Sequence, residues 1–201
     1  MFDLRKLLSV PTLYRIFADL VRRSGTRRRI VDGILKVKPS ERVLDVGCGP
    51  ADWLSAFPNV NYCGVDISPQ YIAAARARYG GKGHFAVRAI TNVTSFDDLG
   101  KFDLIMALGL IHHLSDSQAL SLVQAAKMAL NPGGRFLTLD NVFVPDQSAV
   151  ARWIIERDRG QHIRSRDGYV AIARRHFEDV NVTILHDLLR IPYTHIVMEC
   201  H

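Results

Sequence analysis

Short apolar runs that end in an acid or a glycine alternate along this chain with stretches whose apolar residues recur every three or four positions. The first pattern predicts buried strands and the second amphipathic helices. Residues 42–46, 61–65, 84–88, 102–108 and the PGGRFLTLD stretch ending at Asp140 read as five strands. The fourth, FDLIMAL, is almost wholly apolar, as a central parallel strand covered on both faces requires. Between strands, SPQYIAAARARY carries Ser68 as a cap, Pro69 in the first turn and helix-favouring alanines. SDSQALSLVQAAKMAL keeps helical spacing until Asn131, Pro132 and Gly133 stop it.

Ahead of the first strand, Leu13, Ile16, Phe17, Leu20 and Val21 lay an apolar stripe along a helix over residues 11–23, and TRRRIVDGILKV gives a second helix that ends before Pro39. Beyond Asn141 the pattern predicts helices over 148–159 and 169–177 with a polar loop, RGQHIRSRDG, between them. Two alternating strands, 180–186 and 193–199, are joined around Pro192. Strands alternating with helices predict an α/β fold, with the ligand crevice outside the carboxyl ends of the central strands.

The stretch RVLDVGCGPADW concentrates the chemistry. A buried strand runs into Gly47 and Gly49, whose missing Cβ atoms let the backbone turn sharply and let a ligand lie on the amides, and a helix is expected after the turn, as in a nucleotide-binding layout. Asp45 closes that strand. Nineteen positions after Gly47, Asp66 closes the next strand, where a carboxylate can accept the hydroxyls of a ribose. A dinucleotide fingerprint would need a third glycine where Asp52 stands and has no use for an acid at Asp45, so NAD is disfavoured.

Composition narrows the class. The chain has 201 residues, 48% of them hydrophobic, enough for one domain with a substantial core. The opening MFDLRKLLSV is charged on both sides of its apolar residues, and no run approaches the length of a membrane span, so a soluble, cytoplasmic protein is expected. Cys48, Cys63 and Cys200 are odd in number and far apart, which predicts neither a disulfide nor a zinc site. The formal net charge is +6. Arg22, Arg23, Arg27, Arg28 and Arg29 form a basic stretch that reads either as a solvated helix face or as a patch for phosphate, nucleic acid or a membrane surface.

The acid, Gly, Gly pattern of Asp45, Gly47 and Gly49, with Ala51 in the third glycine position, resembles the first motif of class I S-adenosylmethionine-dependent methyltransferases. FDLI, the histidine pair before the helix, and LNPGG before a strand follow in that family's order, so the resemblance covers residues 43–140. It implies a Rossmann-like, seven-stranded, mostly parallel sheet with an antiparallel last strand, helices on both faces and a helical N-terminal extension. The expected division is a helical cap over residues 1–38 and a core over 39–201. The implied cofactor is S-adenosylmethionine, held by Asp45, Gly47, Cys48 and Gly49 at its methionine end, by Asp66 at its ribose, and by Ile67, Ala89, Ile90 and Leu108 around it. Many relatives carry an acid where this chain has Ala89 or Ile90, so adenine is expected to meet backbone and apolar groups.

For the acceptor side, His112 and His113 follow the fourth strand and Asp140 ends the fifth, and these three are the expected catalytic residues. A histidine suits removal of an acceptor proton, although either ring can instead cap the helix or pack on the sheet. The pair Asp140–Asn141 resembles the magnesium ligands of catechol-type O-methyltransferases, but their third acid falls on Ala107, Leu108 or Gly109 here, and no metal is expected. The reading is a small-molecule methyltransferase acting on O or N, less readily on C. A nucleic-acid methyltransferase and a non-catalytic S-adenosylmethionine-binding accessory protein are the alternatives. The apolar stripe over residues 12–21 is read as a lid over the acceptor, with a core-packed helix or peripheral membrane contact as rivals.

Overall fold

The computed structural model describes residues 25–91, 93–158 and 160–201. The stripe over residues 12–21, with Arg22 and Arg23, lies outside the described residues. In chain order the elements are α1 (Thr26–Arg28), continued by a π-helical segment Arg29–Leu35, β1 (Arg42–Val46), β2 (Asn61–Asp66), α2 (Pro69–Tyr79), β3 (Gly83–Val87), β4 (Phe102–Leu108), α3 (Asp116–Ala129), β5 (Leu130–Phe143), α4 (Ala149–Ile155), β6 (Arg164–Ser165), α5 (Arg166–Ala173), β7 (Val180–Leu185) and β8 (His195–Cys200). The main sheet runs β3-β2-β1-β4-β5-β8-β7, and the short β6 pairs with β5 off that path. Strands β1 to β5 are mutually parallel, and β8 lies antiparallel to both β5 and β7. This is the expected sheet with its reversed last strand, plus a two-residue eighth strand.

Two apolar layers cover the sheet. On one face Ile30, Val31 and Leu35 of the first helical segment and Ile72 and Ala75 of α2 pack on Val43, Leu104, Met106 and Leu137. On the other, Leu122, Val123 and Ala126 of α3 and Tyr169 and Ile172 of α5 pack on Leu44, Ile105 and Phe136. Alternate residues of β1, β4 and β5 thus enter opposite layers, which is why these strands read as unbroken apolar runs. Cap chemistry follows the sequence: Ser68 accepts from the Tyr71 amide, and Ser115 forms a reciprocal box with Gln118.

Four local expectations are corrected. The glycine turn leads into a short 3₁₀ helix, Asp52–Ala56, instead of a full α-helix, because Phe57 is extended ahead of Pro58. Strand β5 starts at Leu130, directly after α3, and takes the NPGG stretch into an irregularity opposite β4. The loop expected between α4 and α5 contains β6, and α5 begins at Arg166, where Ser165 caps it by accepting from the Gly168 amide. The first helical segment ends in a wide turn, with the Lys36 amide donating to the Val31 carbonyl, five residues back.

One ion pair fastens that segment to the sheet. Arg135 of β5 donates to both Glu41 carboxylate oxygens, at 2.8 and 3.2 Å, and to the carbonyls of Leu35 and Lys36, which the helix end would otherwise leave unpaired. Burial works to raise the Glu41 pKa, but the Arg135 hydrogen bond and the Lys38 amide hold it below its ordinary value. Arg135→Met should lower unfolding free energy in urea by about 3 kcal/mol, because it leaves a largely buried carboxylate unpaired. Adding Glu41→Gln should recover part of that loss; a single variant within 1 kcal/mol of wild type, on the order of a surface pair, would contradict the fastening role.

Candidate functional site

The carboxyl ends of β1, β2, β4 and β5 gather the polar groups. Gly47 and Gly49 take φ of +74° and +54°, in the left-handed region that glycine occupies without strain, and the amides of Gly47 and Cys48 close the turn onto the Val65 carbonyl. A Cβ at Gly47 would press on Leu110 at 3.1 Å, whereas one at Gly49 would meet nothing within 4 Å. The turn is therefore packed below and open above. Ala51, in the third glycine position, also sits in the left-handed region at φ 57°, which explains the preference for glycine there.

Two aspartates border the turn. Asp66 accepts from the Gly49 amide at 2.9 Å and from the Ser68 amide at 2.8 Å, so it ties the turn to the start of α2. Asp45 is buried and accepts from the Tyr62 hydroxyl at 2.6 Å. Burial pushes its pKa up to about 7, with a further rise from Asp66 and an opposing effect from the Tyr62 bond. Ile67, 60% exposed, and Val87, 49% exposed and paired in register with Asp66, stand uncovered beside the second carboxylate. Ala89 is exposed and Leu108 half-buried. The Cys48 side chain is buried against Gly64, and the Ile90 side chain belongs to the core.

The second group lies beyond β4 and β5. Leu110 to Leu114 form a tight 3₁₀ turn in which His112 is buried and His113 exposed. The His112 amide and ring Nδ1 both meet Asp140 Oδ1, at 3.1 and 2.8 Å, and Asp140 is fully buried. The neighbouring His113 ring lies 4.1 Å from that of His112, centroid to centroid. The structure thus brings all three expected residues together but gives them different positions: His112 inside, His113 at the surface.

Several partners were invisible in the sequence. Asp158 Oδ1 lies 3.9 Å from His112 Nε2 and accepts from the Gly160 amide, while its other oxygen accepts from the Tyr193 hydroxyl. Burial works to raise the Asp158 pKa, but Tyr193, the Gly160 amide and both histidines hold it below its ordinary value. His195, opposite Asn141 in the sheet, is buried, and burial lowers its pKa to about 4, so it is neutral near pH 7. The one signal for this group was the density of charge in ERDRGQHIRSRD, which carries no apolar period to place it. A groove of about 1140 Å³ bordered by Arg42, Asn61, Lys82 and Phe102 lies at the opposite, amino ends of the strands, away from all these groups. Chemistry selects the crevice over volume.

Comparison with known proteins decides the family. A family model described as a methyltransferase domain matches residues 44–136. The chain is 28% identical over 125 residues to 27-O-demethylrifamycin SV methyltransferase of Amycolatopsis mediterranei, covering 59% of this chain and 45% of that protein. It is 33% identical over 96 residues to ubiquinone biosynthesis O-methyltransferase of a Bradyrhizobium species, covering 46% and 37%. In three dimensions it resembles a TehB-like SAM-dependent methyltransferase from Corynebacterium glutamicum, with a TM-score of 0.69 at 15% identity over 99% of this chain and 100% of that one. These likenesses support a class I S-adenosylmethionine-dependent methyltransferase. Other relatives and neighbours of this chain carry the names of N- and C-methyltransferases and of a probable tRNA methyltransferase. It spans less than half the length of the first curated relatives it matches.

The residues present fit the family's cofactor, S-adenosylmethionine. Open space lies over Gly49, carboxylates border it at Asp45 and Asp66, and uncovered apolar side chains flank the second of these. Such a cofactor, when bound, supplies an electrophilic methyl group.

The raised Asp45 pKa has a testable sign. Its folded value of about 7 exceeds the ordinary 3.8, so below about pH 4 both folded and unfolded chains hold the proton. As pH rises toward 7 the unfolded chain ionises first, and this group's contribution to stability is lost. The stability of wild type relative to Asp45→Asn should therefore fall as pH rises through that window and level off above it. Parallel curves for the two proteins would show that Asp45 ionises normally.

Proposed function

We propose that this methyltransferase transfers a methyl group from S-adenosylmethionine to an oxygen or nitrogen of a small molecule, with carbon the less favoured acceptor. The observation that carries the reading is the exposed His113 ring held against the buried His112–Asp140 pair at the crevice end of β4 and β5. A base is useful when the acceptor atom must lose a proton, as O and N acceptors commonly do. Asp45 and the glycine turn hold the methionine end, Asp66 the ribose, and Ile67 and Val87 the adenine. Methyl transfer is an in-line displacement, so the remaining work of the protein is alignment and exclusion of water.

In this scheme His113 contacts the acceptor and takes its proton, while His112 keeps the turn in place through Asp140. His112 donates its Nδ1 proton to Asp140 and so keeps one tautomer and one ring orientation. A nucleic-acid acceptor is less well supported, because among the described residues of the basic stretch Arg28 pairs with Asp32, Arg29 with Asp187, and Arg27 donates to Ser55.

The test uses S-adenosylmethionine with a labelled methyl group and fractionated low-mass metabolites as acceptors. Label should enter a small molecule; label entering only RNA or protein would overturn the reading. With that acceptor, His113→Ala should cut turnover by about 10² or more and leave S-adenosylhomocysteine affinity nearly unchanged. His112→Ala should also lower the melting temperature, because it strips the ring partner from a fully buried carboxylate and leaves only the backbone amide. Full turnover in His113→Ala over pH 6 to 9, roughly the span in which histidines titrate, would remove His113 from the chemistry.

A further inference from the structure

The histidine turn is not held by its own elements alone. Arg164, whose side chain is only 10% exposed, reaches from β6 into it. Its Nη1 donates to the Ile111 carbonyl at 3.2 Å and the His162 carbonyl at 2.9 Å, its Nη2 to the Leu114 carbonyl at 2.7 Å, and its Nε to Asp116 at 2.9 Å. The two turn carbonyls it takes flank His112 and His113 on either side. The segment just before Arg164 completes the enclosure. The His162 amide donates to the His112 carbonyl, and a Cβ at Gly160 would lie 2.3 Å from His112 Cδ2. Asp158 closes the far side of the ring at 3.9 Å. Strand β6 is paired with Val142 and Phe143, so the segment is anchored to the strand that carries Asp140.

We propose that Asp158 and residues 160–164 form a clasp that sets the orientation of the histidine pair, with Arg164 and Asp158 as positioning residues and Gly160 as the backbone against which the His112 ring rests. The inference rests on the assignment of that pair to the acceptor side. A planar guanidinium can satisfy carbonyls on both flanks of a turn at once, and a lysine ammonium, a single point of charge on a flexible stem, cannot hold the same fork. Side-chain displacement of about 1 Å at a reacting group costs roughly 10²-fold in rate, so a clasp of this kind bears directly on turnover.

The test reads the histidine rings themselves and needs no acceptor. Protein labelled with ¹⁵N-histidine should show His112 as a single Nδ1–H tautomer, with its ring signals assigned by His112→Gln and His113→Gln. Arg164→Lys and Gly160→Ala should each shift or broaden the His112 and His113 ring signals while S-adenosylhomocysteine affinity stays within about twofold. With an acceptor in hand, both should lower kcat by roughly 10- to 100-fold, with KM changing less. Asp158→Asn should move the His112 signals without disturbing the melting temperature as much as Arg164→Met does. If Arg164→Lys and Gly160→Ala leave the ring signals unchanged, and Arg164→Met merely lowers the melting temperature, Arg164 is a structural residue and the clasp is refuted. Ring signals that move as expected, together with full turnover in His113→Ala, would uphold the clasp and defeat the acceptor-side assignment on its own.

Discussion

One carboxylate closes the turn on which the crevice depends. Asp66 accepts from the Gly49 amide and from the Ser68 amide, so a single side chain joins the glycine turn after β1 to the start of α2 after β2. Amides at such a turn and helix end would otherwise lack partners, and at a largely buried position each would carry a cost comparable to a lost hydrogen bond. The pairing also fixes where β1 and β2 end relative to each other. Asp45 stays buried against Tyr62, Gly47 stays packed on Leu110, and the space above Gly49 stays open. The cofactor side of the crevice is thus a consequence of satisfying backbone donors, with ligand recognition added to the same atoms.

The acceptor side obeys the same rule with different parts. Asp140 is fully buried in the alternation of β5, so it needs partners, and the His112 amide and ring supply two at Oδ1. That requirement draws the chain after β4 back over β5 and leaves His113 facing outward. Within the turn the Leu114 amide donates to the Ile111 carbonyl, and a guanidinium from a distant segment adds a second donor there and takes the Leu114 carbonyl beyond it. Buried polar groups, each requiring the next, therefore lead from the centre of the sheet to its rim.

What was legible in the sequence was local. Asp45, Gly47, Gly49 and Asp66 lie within one strand, turn and strand unit, where the order of residues and their spacing determine which groups meet. The strands and the caps at Ser68 and Ser115 were legible for the same reason, since a period or a cap involves neighbours a few positions apart. Arg164 meets Ile111 from 53 positions away and Asp158 meets Tyr193 from 35, and no period announces such contacts. The helix expected after the glycine turn shrank to a 3₁₀ turn because local backbone demands at Ala51 and Phe57 overrode the family-like layout. The histidine pair was recognised, but the division between a buried and an exposed ring required the third dimension.

The central claim is that the turn and the two aspartates form an S-adenosylmethionine site organised by Asp66. Titration calorimetry of S-adenosylhomocysteine against wild type and Asp66→Ala, with NADH as a control ligand, tests it most directly. The expected result is a single site in wild type, weakening by about 1 to 3 kcal/mol in Asp66→Ala, the range for hydrogen bonds to a charged group, and no heat from NADH. Binding of NADH in place of S-adenosylhomocysteine, or unchanged affinity in Asp66→Ala, would contradict it.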